Sequence, residues 1–73
     1  MTPRIFTFDT THHALWAEEV AASAGIPAEV VPAPPEAGAR CNLALATFDE
    51  EVDRLAGALG GAEVPFRLFA PPG

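Results

Sequence analysis

Two segments with helical periodicity each lie between short runs of β-branched and aromatic residues, and this order restricts the fold more than any other feature. Arg4-Ile5-Phe6-Thr7-Phe8-Asp9 reads as a first strand. Thr10 and Thr11 are N-cap candidates for the helix that follows. On that helix His13, Ala17, Val20, Ala21 and Ala24 share one face, with Trp16 at its rim. Leu15 falls off this stripe. Gly25 supplies a left-handed stop and Pro27 confirms the break. Ala28 to Val31 is a second strand, followed by a loop stiffened by Pro32, Pro34 and Pro35 that runs to Arg40. Cys41 to Thr47 is a third strand, with Cys41, Leu43 and Leu45 on one face. Thr47 and Glu50 have capping-box spacing, with Asp49 as the rival N-cap. Val52, Leu55, Ala56 and Leu59 form the apolar face of a second helix, which Gly60-Gly61 is expected to stop. Val64, Phe66 and Leu68 alternate as a fourth strand, and residues 70–73 read as a frayed tail.

The order β-α-β-β-α-β is the split-βαβ, ferredoxin-like pattern. It predicts an α+β fold: a four-stranded antiparallel sheet of order 4-1-3-2, with both helices on one face. Proline supports this independently, because it cannot donate to a sheet ladder and belongs at edges. Pro65 falls in the fourth strand and Pro27 and Pro32 flank the second, the two edges of that order.

A chain of 73 residues is expected to be a single domain, 1–73. At about 60 residues a domain buries only roughly 60% of its unfolded surface, so homodimerisation would add useful burial. Ten acidic and four basic residues give a net charge of −6. This argues against nucleic acid and anionic membrane surfaces as partners, since phosphate binding draws on clustered Lys and Arg. No apolar run approaches the roughly 20 residues of a membrane span. The absence of a signal-peptide pattern and a single cysteine fit a reducing cytoplasm.

In the expected topology the end of the first strand, the start of the first helix and the start of the third strand meet at one edge. Cys41 then approaches Thr10-Thr11-His12-His13. A helix N-terminus leaves N–H groups unpaired and carries roughly half a positive charge. Such a site, with histidine neighbours, can bring a cysteine from a pKa near 8.5 to about 3.5–7.5. Asp9 acts in the opposite sense, since a carboxylate disfavours a second anion. Cys41 also shares parity with Leu43 and Leu45, so an inert buried thiol remains an equal reading. On its face of the helix His13 reads first as a hydrogen-bonded structural residue, His12 as a surface one and Trp16 as packing. The acidic clusters at Glu18-Glu19 and 49–51 read as solvated faces. The sequence has no Gly-rich phosphate loop, CxxC or metal-spaced histidine pair, so no cofactor is expected.

Four segments together carry a resemblance: Phe8-Asp9-Thr10-Thr11-His12-His13-Ala14-Leu15 followed by Glu18; Gly25-Ile26-Pro27; Val31-Pro32-Ala33-Pro34; and Cys41-Asn42-Leu43-Ala44-Leu45. In order and spacing the chain resembles the small selenium/sulfur carrier-like proteins over nearly its whole length. Two positions depart from that pattern. Pro35 stands in place of an Arg, a charge that Arg40 could supply, and Asn42 replaces a Gly. The resemblance implies that Cys41 carries sulfur or selenium as a persulfide or selenopersulfide. His12 and His13 would tune it, and Thr10, Thr11, Pro34, Arg40 and Asn42 would line the site. Donor and acceptor proteins would be the partners.

Two other readings stay open. The first is a non-catalytic interaction or ligand-binding module, because fold does not fix function. Asn42, Ala44 and Ala46 form a small, flat far face suited to a second sheet or another partner. The second is weak soft-metal binding by Cys41 and a histidine. A free-standing enzyme ranks below all of these.

Overall fold

The computed structural model describes residues 3–38 and 42–69. Arg40 and Cys41 lie outside the described residues, as does the expected tail at 70–73. The elements are β1 (Pro3–Thr7), α1 (Thr11–Ser23), β2 (Ala28–Pro32), β3 (Leu43–Phe48), α2 (Val52–Gly61) and β4 (Arg67–Phe69). Short 3-10 turns at Pro35–Ala37 and Asp49–Glu51 precede β3 and α2. The sheet is antiparallel with order β2-β3-β1-β4, the expected 4-1-3-2 arrangement. No helix among the described residues is long and apolar enough to cross a membrane.

One side of the sheet carries the core. Phe6 and Leu45 are paired across β1 and β3 and fully buried, and Leu55 and Leu59 of α2 close over them. Phe66 adds a tilted ring contact to Phe6 at 5.2 Å. Helix α1 packs through alanines: Ala14, Ala17 and Ala21 are buried. The expected stripe is therefore rotated by one position. His13 and Val20 are half-buried and Ala24 is exposed. Small side chains let the helix sit close to the sheet, and that leaves no room for larger ones. Leu15, which fell off the stripe, is 48% exposed, and Trp16 is 38% exposed outside the core.

Both helices end in the same device. After α1, Gly25 has φ +70°, its N–H bonds Ala22 C=O, and Ile26 N–H bonds Ala21 C=O at 2.9 Å. After α2, Glu63 has φ +62°, its N–H bonds Gly60 C=O, and Val64 N–H bonds Leu59 C=O at 2.9 Å. Both are Schellman closures with a buried apolar residue following the left-handed one. Gly25 behaves as expected, and α2 ends at Gly61 as expected, but neither of its last two glycines is the left-handed residue. Burial of Val64 against Leu59 sets the reversal, and it falls on Glu63.

Three local expectations change. Thr47 forms no capping box: it lies inside β3, and its hydroxyl donates to Pro27 C=O at 2.7 Å, holding β2 to β3. Strand β4 is short and Pro65 precedes it, while Val64 is buried in the core ahead of the strand. Central β1 begins with a proline, Pro3. Because β4 pairs only with Ile5 to Thr7, Pro3 faces no strand on that side and its missing N–H interrupts no ladder there.

Candidate functional site

Thr7 of β1 is paired with Ala44 of β3. Thr10, three residues after Thr7, and Asn42, two residues before Ala44, therefore leave the same end of the sheet. Strand β2 ends there too, with Pro32 paired with Leu43 and Ala33 N–H bonding Asn42 C=O at 2.8 Å. Strand sterics and ladder register thus bring the α1 start and the chain entering β3 to one edge, as the sequence predicts.

Thr10 is the N-cap: its extended backbone (φ −139°, ψ 155°) aims the hydroxyl at His13 N–H, 3.1 Å away. This satisfies one of the unpaired donors of the first turn. Thr11 is exposed at the first helical position. The first turn of α1 holds no acidic residue, and Asp9 lies outside the cap, exposed to solvent.

The imidazoles follow at once. His12 is exposed, and His13 is half-buried. Their ring centroids are 6.2 Å apart, and Trp16 lies 6.3 Å from His12 and 6.5 Å from His13. The His13 Nδ1 atom is buried and has no hydrogen-bond partner among the described residues. A histidine held for structural reasons usually spends that atom on a bond. Trp16 thus packs on the histidines rather than in the core. Sequence reasoning missed the hollow lined by His12, Leu15, Trp16 and Glu19. Its one signal was Leu15 falling off the apolar stripe.

The other expected positions divide. Pro34 has extended backbone and caps the 3-10 turn Pro35–Ala37, which Gly38 closes at φ +61°. Pro35 therefore opens a helical turn, where its missing N–H is harmless. Asn42 is exposed. No group of three or more potential metal ligands occurs among the described residues.

Comparison with known proteins bears on the same residues. A family model described as "Putative Se/S carrier protein-like" matches residues 4–71. Comparison with curated proteins and with solved structures gives no match. The matched span takes in all but the first residue of the fold, together with the α1 start and the chain entering β3, and on that basis the chain belongs to the Se/S carrier-like family.

Proposed function

We propose that the chain carries a single sulfur or selenium atom on Cys41 between a donor and an acceptor protein. The observation that supports this best is the α1 start: an acid-free first turn followed by a histidine whose buried Nδ1 is unpartnered among the described residues, at the sheet end reached by Asn42. Cys41 immediately precedes Asn42 in the chain.

The transfer is an ordinary thiol exchange. The Cys41 thiolate attacks the outer sulfur or selenium of a donor persulfide or selenopersulfide. A bond forms to Cys41 Sγ as the donor's S–S or S–Se bond breaks, and the donor leaves as a thiolate. Cys41 then holds a terminal –S⁻ or –Se⁻, which an acceptor nucleophile removes, returning the thiolate. Positive helix-end potential favours each anionic state. In this account Thr10 sets the helix end, His12 and His13 exchange the proton, and Thr11, Pro34, Arg40 and Asn42 border the carried atom. A thiol kept reduced for this purpose suits the cytoplasm.

Intact-mass spectrometry after incubation with a small persulfide donor tests the proposal. A reactive thiolate gives an adduct of about 32 Da for sulfur, or about 80 Da for selenium, which a phosphine reductant removes and an added acceptor thiol takes up. No adduct, or one that no thiol can discharge, contradicts a carrier.

A further inference from the structure

The sheet has a second apolar face that the core does not use. Ile5 pairs with Ala46 and Phe69, Val31 pairs with Ala44, and Phe48 closes the end of β3. By strand parity all six lie opposite the face of Phe6 and Leu45, and none belongs to the hydrophobic core cluster. Ala44 is buried, but Ile5, Val31, Ala46 and Phe69 retain exposure, and Phe48 is 47% exposed. Both helices pack on the other side, so no described element covers this face. The slab measures 29 × 27 × 16 Å. Its broad face matches in scale the roughly 800 Å² per partner that a standard interface buries.

The charged residues on the strands of this face are Glu29 on edge strand β2 and Arg67 on the opposite edge, β4. They distinguish the two ways in which a second sheet could lie on the first. A two-fold axis across the strands sets β2 on β2 and β4 on β4, so Glu29 meets Glu29 and Arg67 meets Arg67. A two-fold axis along the strands sets β2 on β4 and faces each Glu29 with an arginine. Glu29 lies in the row of Ala46 and Ile5, and Arg67 in the row of Thr7. The rows are two residues apart, about 7 Å along the strand, which these two long side chains span together. At the centre Ala44 and Ala46 present a flat strip, which permits packed sheets to approach to about 10 Å.

We propose that the open face binds a second copy of this chain, sheet on sheet, with the two-fold axis parallel to the strands and Glu29 of each copy paired with Arg67 of the other. The same axis keeps both α1 starts at one end of the dimer, so a protein docking there meets two sites side by side. Glu29, Ala46 and Arg67, the positions varied in the test, do not belong to the carrier site, so dimerisation and transfer can fail independently.

Sedimentation of the full chain over a wide concentration range tests this, with circular dichroism to confirm that each variant is folded. The wild type is expected to sediment as a dimer, and A46R, which inserts a charge at the centre of the face, as a monomer. E29R should weaken association at least about tenfold (about 1.4 kcal/mol), and E29R combined with R67E should recover it. A wild type that stays monomeric when concentrated overturns the proposal. A dimer that survives A46R indicates pairing through an edge strand instead, and also overturns it. Failure of the double reversal to recover association overturns the assigned axis.

Discussion

The two helices start at opposite ends of the sheet, and their first turns are furnished in opposite ways. At α2 the chain supplies acid: Asp49, Glu50 and Glu51 form the turn before the helix, and Asp53 lies in its first turn. That charge is tied down, with Arg4 bonding Asp49 at 2.8 Å and Arg54 bonding Glu51 at 2.6 Å. At α1 a neutral threonine caps the helix, the first turn holds no acid, and two histidines follow. The positive end of α2 is already answered by carboxylates of the chain itself; the first turn of α1 holds no acidic residue. The same backbone geometry is thus furnished with acid at one end and with threonine and histidine at the other.

This contrast can be broken from either side. The largest effect is expected where both ends depend on one residue. Leu45→Ala opens the core beneath the central strands and should cost about 2–5 kcal/mol, read by denaturant unfolding. It should impair sulfur transfer only as far as it unfolds the chain. Thr10→Ala removes the α1 cap and should cost about 1 kcal/mol, with a parallel loss of persulfide yield. Glu63→Gly relieves a left-handed non-glycine residue after α2 and should stabilise by up to about 1 kcal/mol, leaving transfer unchanged. Arg4→Ala cuts the exposed ion pair at the α2 start and should cost less than about 1 kcal/mol, again without effect on transfer. A transfer rate that tracked α2-start variants as closely as α1-start variants would erase the distinction between the two ends.

Element order, sheet order and the Thr10 cap were legible in the sequence because each rests on local chemistry: periodicity, proline exclusion and an extended threonine before a helical run. The left-handed residue after α2 was not, because the adjacent glycines that end the helix are a stronger local signal than Glu63. The burial of Val64 against Leu59, a tertiary fact, decides the position. Thr47 misled for a related reason, since its hydroxyl is used by Pro27 C=O on the neighbouring strand and is not free to cap. His12 and His13 lie in the first turn of α1, where the sequence placed them. The structural role first assigned to His13 rested on face parity, which does not show whether Nδ1 has a partner. The open sheet face was visible as the alternation of Asn42, Ala44 and Ala46, but the opposite charges on its two edges became meaningful only with the strand order.

The most direct measurement is the rate of Cys41 alkylation across pH in the wild type, Thr10→Asp and Asp49→Ala. Aspartate caps a helix as well as threonine does, so Thr10→Asp keeps the fold while placing a carboxylate at the α1 start. The account predicts a wild-type half-maximal rate at a pH below the roughly 8.5 of free cysteine. It predicts a shift to higher pH in Thr10→Asp and no change in Asp49→Ala. A thiol that is unreactive, or one that ignores the carboxylate at Thr10, would contradict it.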